Sequence, residues 1–346
     1  MKAETLLPLG KLDPGLAKPE APLDLTEVPN QAAQADAAGY HAVLMEETKD
    51  DPFQVLALAA QHTQQVHLGT SVAIAFARSP FVTAQAAWTA QKLSGGRFEL
   101  GLGSQVRGHI RRRFGLQWHP PGPWMRDYVG ALKALWHAWQ HEQPIDYTST
   151  RYDLNLNVPL FTPAPIQWPH IPIQIAAVNP YMCQVAAEVA DGVRLHPVCT
   201  PRYINEVLRP RMRTVRDLDD GFEICLKPLV AAAATEAQLN ERREVARQRL
   251  AFYLSTPAYA NAFAGHGLGE RCAQAAALSK QQQWRKLAAL VDDEMLAEWA
   301  VVARYDDLAD TILQRYDGLI DRIEVSIPVA DDHDLAVLRD VVAAIA

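Results

Sequence analysis

The stretch LGTSVAIAFARSPFVTAQAAWTAQKLSGGRFELGLGSQ, residues 68–105, decides the fold. It begins inside a run rich in β-branched residues that reads as a strand over 66–73. Ser79-Pro80 then opens a helix. The serine can cap the free N–H groups, and proline suits the first helical position. The helix runs to Leu93 and stops at Gly95-Gly96, where a left-handed turn costs glycine little. Residues 97–102 make the next strand, which leaves through Gly101-Leu102-Gly103-Ser104-Gln105. Strand, helix and strand joined by short turns form the repeating unit of a parallel sheet.

The same rhythm extends outward. Upstream, 3–7 reads as a first strand, 10–26 as a Pro- and Lys-rich loop, 28–38 as a helix ending at Gly39, and 41–46 as a second strand. Asp51-Pro52 opens the helix that leads into 66–73. Downstream, Trp124, Tyr128, Leu132, Leu135, Trp136 and Trp139 share one helical stripe. A Pro- and aromatic-rich excursion follows over 140–171. The fifth strand reads as 171–176, the sixth as 193–196, the seventh as 222–231 and the eighth as 322–327. Helices open at Asn179-Pro180 and span 201–218, 306–316 and 334–345. Residues 235–300 are helix-prone throughout and too long for one crossover, so they read as a helical insertion after strand seven. Eight strands interleaved with helices predict a single (β/α)8 TIM-barrel domain over 1–346, with an open doubly wound sheet as the other architecture of this pattern.

Composition narrows the function classes. A 49% apolar chain of 346 residues can bury a large core, and a net charge of −7 gives no basic footprint for nucleic acid. Cys183, Cys199, Cys225 and Cys272 form no C-x-x-C pair, which suits a reducing compartment. No apolar run nears the ~20 residues needed to span a bilayer. The first ten residues lack a secretory h-region, so a cytoplasmic enzyme is expected.

In a barrel, chemistry gathers where strands end. At 101–105 the glycines permit either close approach of a flat ligand or a tight rim turn. The spacing is no dinucleotide fingerprint, because Val106 holds the third glycine position. Asn179-Pro180 begins a helix, so it is a phosphate seat or an ordinary cap. Glu46 and Glu47 end strand two. One should face the mouth, to orient a ring or relay a proton, or both serve rim salt bridges. His196 ends strand six as a proton donor or a structural histidine. His109 lies among Arg107, Arg111, Arg112 and Arg113, a cluster that meets an anion or solvent. His137 and His141 lack the Glu of a zincin helix, since residue 138 is Ala, and residues 331–334 read as a helix start. No metal ligand set is predicted. No G-x-S-x-G or P-loop is present either, so a bound organic cofactor is the expected chemical resource.

The run 68–105 resembles the luciferase-like monooxygenase superfamily in its strand-three bulge, its R-S-P, its L-S-G-G-R helix end and its L-G-L-G strand. EVADGVRLHP (188–197) and AGYHAVLMEE (38–47) resemble the same family. DPF after strand two, AFARSP and LHP are similar to the branch that uses the deazaflavin coenzyme F420. The resemblance implies an F420-dependent oxidoreductase that moves hydride between the deazaflavin C5 and a small organic substrate. A reduced-FMN monooxygenase using O2 and a binding barrel without turnover are the alternatives. It implies a cis peptide at Ser71–Val72 behind the ring, with Glu47, Thr48, Ala73, Gly103 and Ser104 nearby. It places Ala177, Val178, Asn179 and Tyr181 at the cofactor phosphate. Thr48 stands where relatives often carry His, which leaves Glu47, His109 and His196 as candidate proton-transfer residues. Tyr181 stands where relatives often carry Arg. A homodimer is implied by analogy. Substrate choice is expected to lie in residues 8–30, 104–123, 140–170 and 235–300, with Trp118, Trp124 and Trp168 either lining an apolar pocket or packing in the core.

Overall fold

The computed structural model describes residues 1–11, 22–329 and 331–346. Eight parallel strands close into a barrel: β1 (Lys2–Leu6), β2 (Ala42–Met45), β3 (His67–Thr70), β4 (Phe98–Gly103), β5 (Ile173–Ala177), β6 (Gly192–Leu195), β7 (Glu223–Leu226) and β8 (Arg322–Glu324). Each strand pairs with the next, and β8 returns to β1 through Lys2↔Arg322. The chain is therefore the closed (β/α)8 barrel that its alternation predicts.

The helices start where the cap residues say they should. Asp51 accepts from the Phe53 N–H at 3.0 Å, and Ser79 Oγ accepts from Val82 N at 3.2 Å. Asn179 Oδ1 accepts from Met182 N at 3.0 Å. The stripe on Pro121–Gln140 buries Trp124, Tyr128, Leu132, Leu135, Trp136 and Trp139. Of the loop expected over 10–26, residues 12–21 lie outside the described ones.

Two strands differ from their sequence reading. The run 222–231 is not one strand. It breaks at Lys227-Pro228, and Leu229–Ala233 pairs in parallel with Ala300–Arg304, apart from the barrel sheet. Proline has no N–H for the ladder, so the break falls there. The insertion thus starts and ends on its own two-stranded sheet, and five helices lie between. The third strand stops at Thr70 and resumes as Ala73–Ile74.

The lower half of the barrel interior is ionic. Arg194 makes paired bonds to Glu4 at 3.0 Å. Arg322 reaches Glu4 at 3.1 Å, Glu99 at 2.5 Å and Glu223. Such groups tolerate burial only when each charge finds a partner. Burial and the nearby Arg322 hold the His41 imidazole down at a pKa of about 4.

Candidate active site

The upper rim is built around the interruption of strand three. Ser71–Val72 is a cis peptide. Beyond it, Ala73 and Ile74 resume pairing with Leu102 and Gly103 of β4. The glycines of β4 make this possible. A Cβ on Gly101 would sit 1.9 Å from the Thr70 carbonyl oxygen, and one on Gly103 would sit 2.6 Å from Val72 Cγ2. Their bare Cα atoms therefore admit the bulge of the chain itself. Thr70 Oγ1 adds a hydrogen bond to the Gly101 carbonyl at 2.6 Å. Ser71, Val72 and Ser104 stay partly exposed, whereas Ala73 and Gly103 are buried.

Both glutamates at the end of β2 are held in ion pairs. Glu47 Oε2 accepts from the Ile74 N–H at 2.7 Å and from Arg78 Nη1 at 2.5 Å. Arg78 also donates to Asp51 at 2.8 Å. The arginine of R-S-P thus clamps Glu47 to the bulge, a geometry suited to positioning. Glu46 turns the other way and accepts from Lys11 at 2.6 Å and Lys227 at 3.1 Å. Lys227 continues to Glu324 at 3.2 Å, which links the ends of β2, β7 and β8. Burial acts to raise the Glu46 pKa, but the two ammonium groups outweigh it and hold it at about 2.

After β4 the chain turns back over this rim. Gln105 takes a left-handed backbone with φ of 53°. Arg113 then donates to the carbonyl of Thr48 at 3.1 Å. Arg107 lies over the Trp118 ring. His109 points outward from the short helix Arg107–Arg112, and its side chain makes no hydrogen bond or ion pair among the described residues. It is not brought to Glu47 or His196 by any contact.

At the exit of β5, Asn179 is extended, with φ of −99°, and spends its side-chain oxygen on the helix Pro180–Val189. Ala177 is buried and Val178 is partly exposed. Tyr181 is exposed, and its hydroxyl accepts from Arg126 at 3.0 Å while the guanidinium lies over its ring. Arg126 in turn pairs with Glu188. A cation therefore does stand beside this helix start, supplied by the preceding helix. Sequence spacing gave no sign of it, because Arg126 and Tyr181 are 55 residues apart.

The insertion supplies the wall at β6. Tyr253 and Tyr259 pack on His196 with ring centroids 4.6 and 4.2 Å away. The Val198 N–H donates to His196 Nδ1 at 3.3 Å. A neutral ring with that nitrogen accepting carries its proton on Nε2. Trp299 and His266 anchor the insertion to the same loop, through the Val198 carbonyl at 3.0 Å and Thr200 Oγ1 at 2.9 Å. The tryptophans divide. Trp124 is core, stacked on Phe76 at 3.9 Å and donating to the Tyr152 hydroxyl at 2.7 Å. Trp168 packs on Gly96 before β4 starts, so it belongs to the opposite end of the barrel from the mouth.

Residues 7–322 match the luciferase-like monooxygenase family. The chain belongs to that family. Among its relatives, an uncharacterized protein of Mycobacterium tuberculosis is 40% identical over 308 residues, covering 86% of this chain and 90% of the relative. A 5,10-methylenetetrahydromethanopterin reductase of Archaeoglobus fulgidus is 26% identical over 289 residues, covering 81% and 82%. The structure of the coenzyme F420-dependent tetrahydromethanopterin reductase from Methanopyrus kandleri superposes with a TM-score of 0.73 at 19% identity, covering 98% of this chain and 97% of the other. The oxygenating constituent of 3,6-diketocamphane monooxygenase from Pseudomonas putida, in complex with FMN, superposes at 0.66 with 14% identity, covering 100% and 96%. This luciferase-like chain thus shares its barrel with both reductases and monooxygenases. In it, direct contacts join Glu47, the 70–74 bulge, Gly101 and Gly103 into one wall, and His196 stands two strands further round on β6.

Proposed function

We propose that this luciferase-like enzyme is a coenzyme F420-dependent oxidoreductase acting on a small organic substrate at the barrel mouth. The observation that carries this reading is the bulge at 70–74. It is fixed from one side by Glu47 and Arg78 and from the other by Gly101 and Gly103. Its sequence words, DPF, AFARSP and LHP, are similar to the F420 branch.

The residues present fit such a group. Ser71, Val72, Ala73, Gly103 and Ser104 would back a flat ring system, with Thr48 at the rim. Ala177, Val178, Asn179 and Tyr181 would hold the phosphate at the helix start, where free N–H groups favour an anion. Arg126 adds the charge that Tyr181 lacks. When bound, F420 supplies hydride at C5. The chain's own part is to fix that face against the substrate and to exchange one proton. His196 is assigned the proton, because its Nδ1 accepts from Val198, which puts the proton of the neutral ring on Nε2. Glu47 is assigned the positioning of the bulge. The enzyme is further proposed to work as a cytoplasmic homodimer, without nucleic acid or membrane partners. No helix among the described residues is long and apolar enough to cross a membrane.

Parallel titrations with F420 and FMN, followed by fluorescence quenching, test the reading. Saturable F420 binding and hydride exchange with a carbonyl, imine or enone substrate are expected. FMN binding with no response to F420 would overturn it. O2 uptake with reduced FMN would then assign the monooxygenase chemistry, and F420 binding without any turnover would assign a binding barrel.

A further inference from the structure

The ionic floor of the barrel contains three groups that hydride chemistry at the mouth does not use. His41 immediately precedes β2, His67 opens β3, and Glu99 is the second residue of β4. Strand register brings them together. His67 pairs opposite Ala42, its N–H donating to the His41 carbonyl at 2.9 Å, and Gly69 pairs opposite Glu99. The two imidazoles stack with centroids 4.7 Å apart and planes 25° apart. His67 Nδ1 is 2.9 Å and His41 Nε2 is 3.9 Å from the same Glu99 oxygen, Oε1. All three ligand atoms lie within 4.8 Å of one another.

We propose that His41 Nε2, His67 Nδ1 and Glu99 Oε1 form a divalent metal site of the zinc type at the N-terminal end of the barrel. Bonds of about 2.0–2.2 Å in a tetrahedron set neighbouring ligand atoms roughly 3.3–3.5 Å apart. The two nitrogen–oxygen separations here fall on either side of that value. Both nitrogens are buried and have no hydrogen-bond partner of acceptable geometry among the described residues. Buried polar atoms of this kind ordinarily have one. Here His67 Nδ1 has only its close contact with Glu99 Oε1, and His41 Nε2 converges on the same oxygen, an arrangement a bridging cation would complete. The carboxylate is already oriented. Its other oxygen accepts from Arg322 Nη1 at 2.5 Å and from Gln174 Nε2 at 3.4 Å. Outer contacts of this sort hold metal ligands in place.

Glu4, Glu99 and Glu223 are balanced by Arg194, Arg322 and Lys2. The attraction for a cation is therefore local, to Glu99 Oε1 and the two imidazole nitrogens that face it. Side-chain exposures of 23% at His41 and 36% at His67 leave a path for the ion and for a water at the fourth position. The site faces the end of the barrel associated with stability, so its role is structural. It stands independently of the cofactor assignment.

The full chain, stripped with a chelator and dialysed, should bind one equivalent of Zn2+ by calorimetry and give a tetrahedral visible spectrum with Co2+. Zn2+ should also raise the unfolding temperature, because it binds the folded state selectively. His41→Ala and His67→Ala should each weaken binding at least about tenfold and remove the Co2+ bands. The His67→Gln variant covers the case in which one of these fails to fold. The double variant His137→Ala/His141→Ala controls for the neighbouring, tilted pair at i, i+4 and should bind as the parent does. No Zn2+ binding by the parent at micromolar metal overturns the proposal. So does binding that survives loss of His41 and His67, or that disappears with His137 and His141.

Discussion

The carboxylate of Glu47 accepts the backbone N–H of Ile74 at 2.7 Å, which ties the end of β2 to the chain just beyond the Ser71–Val72 peptide. Arg78 closes the clamp on the same oxygen. Removing the charge should loosen the bulge without emptying the core. Glu47→Gln and Arg78→Met are each expected to cost about 1–3 kcal/mol in cofactor affinity, because a partly buried charged partner is left unsatisfied. Fluorescence titration measures this. Affinity unchanged in both variants would remove the bulge from the cofactor bed.

Gly101 faces the Thr70 carbonyl, with no room for a Cβ. The obstruction is backbone, which cannot swing aside as a long side chain can. Gly101→Ala should lose roughly 1–3 kcal/mol or more of stability in urea and weaken cofactor binding in parallel. A stable Gly101→Ala protein with parental affinity contradicts the packing argument.

His196 is held by Val198 and by two tyrosines of the insertion. If it moves the proton, His196→Ala should lower kcat by about 10²–10⁴ while cofactor Kd changes little. An equal loss in both would make it structural.

Arg126 is the cation next to the phosphate seat. Arg126→Gln should raise the cofactor Kd several-fold and flatten its dependence on salt, since an exposed charge interaction is screened. Tyr181→Phe should have a smaller effect, because the guanidinium remains. The reverse order would show that the hydroxyl, not the charge, meets the phosphate.

Glu46 titrates far below an ordinary glutamate, at about 2 against 4.5, because Lys11 and Lys227 outweigh the effect of burial. Its depressed folded pKa means that the unfolded chain binds the extra proton between those values. The stability it contributes is therefore complete above pH about 4.5 and disappears as the pH falls towards 2. Melting curves across this window should be steeper for the parent than for Glu46→Gln. Parallel pH profiles would show that the Glu46 ion pairs add nothing to stability.

Much of the fold was legible because its signals are local. Ser79-Pro80, Asp51-Pro52 and Asn179-Pro180 each cap a helix through atoms two or three residues away, and all three behave as expected. The seventh strand was overextended because a continuous apolar run says nothing about which neighbour it pairs with. Only Pro228 marked the break. The site was legible in part. The 68–105 words located the bulge, yet the glycines of β4 turned out to accommodate the chain's own backbone and Val72.

By itself, the sequence determined the alternation of strands and helices, the capped starts, the position of the insertion and the resemblance that names the family. These depend on residues within one or two turns of each other. Tertiary structure alone decided which charges meet. Glu46 with Lys227, Arg126 with Tyr181, Tyr253 with His196, and His41 with His67 and Glu99 are contacts set by barrel closure and strand register. Electrostatic and ligand-forming interactions depend on distance in space, and a barrel brings its strand ends together without regard to their separation along the chain.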